Sequence, residues 1–575
     1  MNLDVNDAPN VTNRKLREIA SFLTSHDKET EVVIHIHGYN TRNKDFENWV
    51  KEIQHYINND KFINQKKIVF IGYYWPSEYI TLKSDNEDEL ISSHFGKAIR
   101  TLPIFFRTIY NYASAGLITT FAFILAILSL SISDNFSLTL SSFTLFLLAF
   151  GIAFFACLFG YVFCAILLRV SIYFRDNYRA VNYGVPDLVD FIRQIDNTII
   201  EQTPGNTRDE KKWNFAQSNQ PRIKLSFIAH SMGAFVTTNV IRVLSDIFDE
   251  NSIPTLVEGT NQLQLQPSPN IGNVFSLGRL VIASPDIPIE TIMPERSNFL
   301  RSSLRRFEES YLFSSQGDII LRVASTAANY ISFPANTYDR GFRLGNAVVD
   351  SRIDTAGLFM KYGIVNQSDE DGSVNPDAES SMKQIGIVSD NRLKSLCDIL
   401  SRNSKVTQNE AIAGLFTYFD CTDYKDVTNE NDQEPKGILT RALRKAVLSF
   451  WDCLVLIFDN FVLGRNGHGG YFQGELSKKI IYRLAFLGFR DFLISLQDEP
   501  DYQEIFETID AQVDREAVQT SLQSQGLEID TGKETFIKLS RVLSQKCEDK
   551  GIKVFLAPER YLVDMLGKQR DRQGY

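Results

Sequence analysis

The chain has 575 residues, of which 44% are hydrophobic and 23% charged, and its formal net charge is −10. This length exceeds one hydrophobic core and predicts roughly two to four domains or large insertions in a globular protein. The acidic balance argues against a nucleic-acid binder, the scattered cysteines favour reduced thiols, and the N-terminus has no apolar region typical of a cleavable signal peptide.

Strand and helix patterns alternate along most of the chain. Strand-like segments at 31–40 and 66–78 flank a helical stretch from Phe46 to Ile57, and an amphipathic helix is indicated within 176–195. Further strands follow at 225–229, 277–286 and 308–318. This alternation predicts an α/β fold with a mostly parallel sheet and helices on both faces, as in alpha/beta hydrolases.

Two long apolar runs interrupt this pattern. Between Thr108 and Leu168 the one charged residue is Asp134, and helices are predicted at about 113–133 and 143–168. Each run is long enough to span a bilayer, so a transmembrane hairpin is predicted at 104–172. Lys and Arg flank both runs but are missing from the connecting loop. The positive-inside rule therefore predicts a multi-pass membrane protein with both termini and the catalytic domain in the cytoplasm.

The hairpin divides the predicted core into pieces. Residues 1–103 form its first part and 173–475 the remainder, with insertions at about 345–412 and 424–464; the segment 415–423 is a candidate last strand of the sheet. An apolar stripe at 438–461 favours a packed core helix, with a lid on the membrane surface as the alternative. Residues 476–575 are predicted to be a mainly helical C-terminal region, in which "IKVFLAP" is a candidate extra strand.

The stretch "LSFIAHSMGAF" (225–235) places a serine where a strand gives way to a helix. This pattern is typical of the nucleophile elbow, G-x-S-x-G, which needs small residues two positions before and after the serine. Ala229 and Gly233 meet that need. Ser231 is therefore predicted to be the nucleophile, and an ordinary turn between strand and helix is the alternative.

A serine nucleophile needs a base and an acid, which follow it in the order acid, then histidine, in this fold. Of the seven histidines only His468, in a glycine-rich stretch, lies beyond Ser231, so a triad in this order uses His468. Asp318, at the end of a predicted strand, is the preferred acid. Asp286, at the end of the preceding strand, is the alternative acid.

An oxyanion hole needs two backbone N–H groups. Met232, which follows the nucleophile, is predicted to supply one, and Tyr39 the other, with Gly38 letting the backbone approach. His35 and His37 share one face of their strand, but no carboxylate-rich motif accompanies them. They are interpreted as packing or hydrogen-bonding residues, and neither a metal nor a cofactor is predicted.

The motifs together resemble one family. "IHIHGYN", "YYWPS", "AHSMGA", "ASPD", "SSQGD", "RGFRLGN" and "HGGYF" occur in the order seen in the HGYN-type alpha/beta hydrolases, whose function is poorly defined. The resemblance implies a Ser231, Asp318 and His468 triad and an oxyanion loop at Gly38 and Tyr39. The chain departs from the family pattern in having Ala229 in the elbow, a long insertion before His468 and the apolar hairpin.

These patterns predict a membrane-anchored serine hydrolase of the esterase or lipase type, which cleaves an ester or thioester through an acyl-enzyme. A lipid is a candidate substrate, because an insertion in the catalytic domain would hold that domain near the bilayer. The alternatives are acyl transfer to an acceptor other than water and a non-catalytic membrane scaffold or effector that keeps the fold. The sequence leaves the oligomeric state open.

Overall fold

A computed structural model describes most of the chain. The described residues are 9–25, 30–39, 41–77, 111–122, 125, 147, 149–154, 156–157, 160, 172–217, 221–245, 268–292, 298–325, 342–351, 361–366, 385–389, 392–396, 415–428, 432–461, 466–503 and 531–557. The chain divides into two compact units, one made of residues 1–76 and 179–575 and the other of residues 77–178.

The larger unit alternates strands and helices. Its strands are β1 Glu31–Ile36, β2 Ile68–Tyr73, β3 Ile223–His230, β4 Asn270–Ile271, β5 Phe275–Ala283, β6 Glu309–Ser314, β7 Val348–Val349, β8 Gly363–Ile364, β9 Ile385–Ser389, β10 Arg392–Ser395, β11 Thr417–Asp420, β12 Lys425–Asp426, β13 Lys436–Gly437 and β14 Lys553–Phe555. Its main helices are α1 Pro9–Thr24, α2 Asn43–Asn59, α3 Val185–Gln202, α4 Arg208–Gln217, α5 Met232–Leu244, α6 Asn298–Arg305, α7 Phe450–Phe461, α8 Glu475–Leu487, α9 Phe489–Ser495 and α10 Thr531–Lys550.

The main sheet has the order β2-β1-β3-β5-β6-β11-β14-β8 within the described part of the chain. From β2 to β11 every neighbouring pair is parallel, whereas β14 runs antiparallel to β11 and the short β4 pairs antiparallel with β5. The carboxyl ends of β1, β3, β5 and β6 therefore meet at one edge of the sheet. This arrangement confirms the predicted α/β fold.

Helices cover both faces of the sheet. On one face the strands pack with α2, α8, α9 and α10 in a core that contains Val33, Ile228, Tyr311, Ile480 and Leu543. Ile34 and Ile36 alternate with Val33 along β1 and so point to the opposite face. On that face α5 packs on β1 and β3 and contacts α3 and α6.

The C-terminal region differs from the prediction in two respects. The strand β14, from the "IKVFLAP" segment, joins the main sheet beside β11, so β11 is not its last strand. The helices α8 and α10 cover the sheet rather than forming a region of their own. Apolar residues of both helices belong to this core. Their helical pattern in the sequence predicts that the helices pack through an apolar face, but it does not identify the surface that they pack on.

The prediction of a packed core helix at 438–461 is wrong in both the extent of the helix and its environment. Residues 438–449 are not helical, and α7 begins at Phe450. Leu456 is buried against Ile319 and Leu448, but Phe450, Trp451 and Phe458 expose 61%, 73% and 54% of their surface. The helix packs through one narrow side, and its apolar stripe is too wide for that contact to cover.

The smaller unit contains the predicted hairpin, most of which lies outside the described residues. Its described helical residues include 111–122 and 149–154. A Cβ atom on Gly116 would collide with the Cys157 sulfur, so the two runs pack closely at this glycine. Among the residues that the structure describes, no helix has both the length and the apolar composition needed to cross a membrane.

Candidate active site

The strand β3 gives way to α5 through a single strained residue. Ser231 has φ 54° and ψ −123°, a conformation that non-glycine residues rarely adopt. Its N–H donates to the Ala283 carbonyl at 2.9 Å, which ties the turn to β5. A Cβ atom on Gly233 would lie only 2.5 Å from the His37 carbonyl oxygen, so the helix backbone packs directly on the end of β1. This geometry matches the predicted elbow.

Three predicted site residues are linked by hydrogen bonds. The Ser231 Oγ lies 2.7 Å from His468 Nε2, and His468 Nδ1 lies 2.7 Å from Asp318 Oδ2. All three side chains are buried. Asp318 follows β6, and His468 belongs to a turn in which the Gly470 N–H donates to the Asn466 carbonyl at 3.0 Å. The order of contacts is that of a nucleophile, a base and an acid.

The alternative acid has a different partner. Asp286 Oδ1 lies 3.1 Å from Arg343 Nε, and both side chains are buried. The backbone N–H of Asp286 donates to the Ser231 carbonyl at 3.2 Å, so the residue supports the turn through its main chain. Asp318, and not Asp286, therefore contacts the His468 ring.

The loop after β1 lies against the serine. A Cβ atom on Gly38 would lie 3.0 Å from both Ser231 Cβ and His230 Nδ1, so only glycine fits without displacement. His37 Nδ1 lies 2.6 Å from the Gly38 carbonyl oxygen, which also accepts from the Thr41 hydroxyl at 3.2 Å. A trans peptide directs its C=O and N–H to opposite sides, so this anchoring turns the Tyr39 N–H away from His37.

A second N–H is available at the start of α5. Met232 is the first residue of this helix, and the amides of a first helical turn have no acceptor within the helix. The Tyr39 ring lies 6.3 Å from the His468 ring between centroids. Gly38 and Met232 therefore lie next to the predicted nucleophile, and Tyr39 follows Gly38 in the chain.

The surroundings of the histidines near the site shift their pKa values in opposite directions. Burial alone would lower the pKa of His468, but the charge and hydrogen bond of Asp318, with the charge of Asp286, outweigh it and raise that pKa above its ordinary value. Burial lowers the pKa of His230 to about 3 and that of His37 to about 4. His468 is therefore the histidine suited to exchange protons near neutral pH.

Two residues of the site were not predicted from the sequence. His230 Nε2 donates to the His468 carbonyl at 2.9 Å and so holds the turn that carries the predicted base. The Ser284 hydroxyl donates to Asp318 Oδ2 and lies 3.2 Å from His468 Nδ1. The one sequence feature that could have indicated them is their position next to the motifs. His230 directly precedes Ser231, and Ser284 begins the residues "SPD" after β5.

The other histidine of β1 has an aromatic environment. His35 is fully buried, with Trp49 and Phe46 rings 4.1 and 6.0 Å from its own ring between centroids. Burial lowers its pKa well below the ordinary value, so the ring is neutral. Within the described residues, no group of three or more His, Cys, Asp or Glu side chains could hold a metal ion.

Comparison with known proteins gives one match. The family described as "Alpha/beta hydrolase of unknown function (DUF900)" matches residues 207–332. This segment contains Ser231, Ser284 and Asp318 but neither Gly38 nor His468. No curated protein and no solved structure matches the chain. The family match and the mostly parallel sheet together support membership of the alpha/beta hydrolase superfamily.

The raised pKa of His468 predicts a pH-dependent cost of replacing it. The folded protein binds the proton of His468 more tightly than the unfolded chain does, so protonated His468 stabilises the folded state. This stabilisation is fully present below pH 6.5, the ordinary pKa of histidine, and is lost as pH rises through the folded-state pKa. We expect His468→Gln to lower the free energy of unfolding by more at acidic than at alkaline pH. Urea unfolding of both proteins at each pH measures the difference, and an equal cost at both pH values would contradict it.

Proposed function

We propose that the protein is a serine hydrolase that cleaves an ester or thioester through an acyl-enzyme. The observation that carries the proposal is the hydrogen-bonded chain from Ser231 through His468 to Asp318, built on a strained turn. Elements that are far apart in the sequence converge on this arrangement. We also propose that the protein is similar to the HGYN-type alpha/beta hydrolases.

Each group has a chemical step. Ser231 Oγ attacks the carbonyl carbon while His468 Nε2 takes the hydroxyl proton, and Asp318 stabilises the imidazolium that forms. The Met232 and Tyr39 N–H groups bind the oxyanion of the tetrahedral intermediate. His468 then gives its proton to the departing alcohol or thiol, which leaves an acyl-Ser231. Water, deprotonated by His468, attacks this acyl group, and collapse releases the carboxylic acid and restores Ser231.

A membrane anchor is part of the proposal. Ile118, Phe121 and Ile152 of the smaller unit expose 70%, 63% and 65% of their surface on helical residues. Large apolar side chains in such positions are unfavourable in water and favourable in lipid. Together with the two apolar runs of the sequence, this exposure supports a hairpin in the bilayer, and the flanking Lys and Arg residues support a cytoplasmic catalytic unit.

A lipid ester is the substrate class that the surface near the site supports. Apart from the buried Leu456 side, α7 presents Phe450, Trp451 and Phe458 to the outside. Its acidic residues are held in ion pairs, Asp452 with Lys445 and Asp459 with Arg441, so they add little free charge to this surface. Aromatic side chains without free carboxylates are suited to the boundary of a bilayer.

This helix also lies beside the proposed acid. Leu456 packs on Ile319, the residue that follows Asp318, and its Cδ1 would lie 3.6 Å from a Cβ atom on Gly317. The Ser231 side chain is fully buried, so a substrate needs some movement to reach it. We propose that contact of α7 with lipid favours that movement, which would couple activity to the membrane surface.

Labelling of the nucleophile tests the enzymatic proposal. A fluorophosphonate probe should label the wild-type protein, because the triad geometry activates Ser231 toward phosphonylation. Ser231→Ala and His468→Ala should abolish the labelling. As a control, His55→Ala removes an exposed histidine of α2 and should label normally. A well-folded wild-type protein that stays unlabelled would favour the non-catalytic scaffold.

Extraction at alkaline pH tests the anchor. A chain held by a transmembrane hairpin should remain in the membrane pellet, because the apolar runs bind lipid without charge interactions. Ile118→Lys, Phe121→Lys and Ile152→Lys in one variant should release much of the protein. Release of the wild-type chain would show that the attachment is peripheral or missing.

The surface of α7 generates a separate test. The triple variant Phe450→Ser, Trp451→Ser, Phe458→Ser should lose at least about tenfold of its kcat/KM on an ester embedded in vesicles, since each side chain loses favourable burial in lipid. Its activity on a water-soluble short-chain ester should stay within about twofold, as for ordinary surface substitutions.

The matched control for this variant replaces exposed apolar residues elsewhere. Trp213, Val243 and Ile494 expose 65%, 61% and 39% of their surface on α4, α5 and α9. Their replacement by serine should leave both activities unchanged. Equal losses on the two substrates, or equal losses in the two triple variants, would exclude a specific role of α7 at lipid.

A further inference from the structure

Ser284, the residue after β5, has a conformation that needs an explanation. Its φ is 48°, one of four positive values among the described non-glycine residues. The side chain is fully buried, and its hydroxyl donates to Asp318 Oδ2. A non-glycine residue keeps a positive φ only where the surroundings enforce it. Ser231 is another of the four, so two strained serines flank the same imidazole.

The surroundings of Ser284 are supplied by the "RGFRLGN" motif. The Gly345 N–H donates to the Pro285 carbonyl at 3.0 Å, and a Cβ atom on Gly345 would lie 2.8 Å from the Ser284 carbonyl carbon. The Asn346 side chain donates to the carbonyls of Ser315 and Asp318, each at 3.1 Å. One segment therefore fixes both Ser284 and the backbone of the proposed acid.

The Asp318 carboxylate has a defined set of donors. Oδ1 accepts from the Leu321 N–H at 3.2 Å, whereas Oδ2 accepts both from the Ser284 hydroxyl and from His468 Nδ1–H. Two donors on one oxygen restrict rotation of the carboxylate about its side-chain bond. By donating to Oδ2, the Ser284 hydroxyl stabilises part of the negative charge of the Asp318 carboxylate. The same charge stabilises the protonated form of His468.

We propose that Ser284 is a positioning residue of the triad, which fixes the carboxylate of Asp318 toward His468 and moderates how tightly His468 holds its proton. This inference rests on the proposed function for its catalytic meaning. Without the Ser284 hydroxyl, the Asp318 carboxylate has one hydrogen-bond donor fewer and therefore stabilises the imidazolium form of His468 more strongly. His468 would then hold its proton to a higher pH, and less of it would be in the neutral form that can accept the Ser231 proton.

The groups that face His468 determine whether this effect can be measured. Asp318 and Asp286 raise its pKa by their charges. The rings of His230 and Tyr39 lie 4.9 and 6.3 Å from its ring, and Tyr471 of the same turn interacts with Asp318. Replacing Ser284 leaves Asp318, Asp286, His230 and Tyr39 in place and removes the contacts of its hydroxyl with Asp318 and with Tyr471, so a change in the titration of His468 would report the lost hydroxyl.

Nuclear magnetic resonance of histidine-labelled full-length protein tests the proposal, with the His468 signal identified from His468→Gln. We expect Ser284→Ala to raise the pKa of His468 by roughly 0.5 to 1 pH unit. Fluorophosphonate labelling at neutral pH should slow by roughly 10- to 100-fold, the range for a hydrogen bond to a charged group. Ser284→Gly should behave like Ser284→Ala, because it also lacks the hydroxyl but relieves the positive φ.

The matched control is Ser226→Ala, which removes another buried hydroxyl that donates to a carboxylate, that of Glu31, away from the site. It should leave both the pKa of His468 and the labelling rate unchanged. An unchanged or lowered pKa in Ser284→Ala would overturn the proposal, as would normal behaviour of Ser284→Gly. If the wild-type protein does not label but the pKa shift appears, the proposed function fails and the positioning of the imidazole stands.

Discussion

The close approach of three backbone segments at Ser231 is the constraint on which the rest of the site depends. The end of β1, the start of α5 and the loop at Gly38 meet where Gly233 and Gly38 leave no room for a Cβ atom. This contact forces the positive φ of Ser231. It also brings the Tyr39 loop and the Met232 amide close to the hydroxyl, so the proposed nucleophile and its proposed oxyanion donors are placed by the same packing.

The polar groups around this turn interact with the proposed base, His468, and with its surroundings in different ways. His230 and His37 have pKa values lowered by burial, so they act as neutral hydrogen-bonding groups that hold backbone carbonyls. Asp318 and Asp286 instead leave His468 with a raised pKa. Because these two neighbouring imidazoles stay neutral, the charge that develops during the proposed reaction would be confined to His468 and its proposed acid.

The insertion before His468 connects the site to an outer surface. Its helix α7 packs on the residue after Asp318 and exposes aromatic side chains. The smaller unit likewise exposes large apolar side chains. Both features have a common physical reason if the protein works at a bilayer, since apolar surface that is costly in water is stabilised in lipid. Under this proposal the sheet provides a rigid frame, and the insertions carry the surfaces that contact lipid.

The local sequence determined the alternation of strands and helices, the elbow with its small flanking residues and, through the order of residues in the fold, His468 as the single candidate base. These features depend on short-range patterns. Tertiary structure alone decided that Asp318 rather than Asp286 contacts His468, that Ser284 and His230 support the pair, that β14 joins the sheet and that Phe450 and Trp451 are exposed. Each of these outcomes depends on contacts between residues far apart in the chain, which no local pattern encodes.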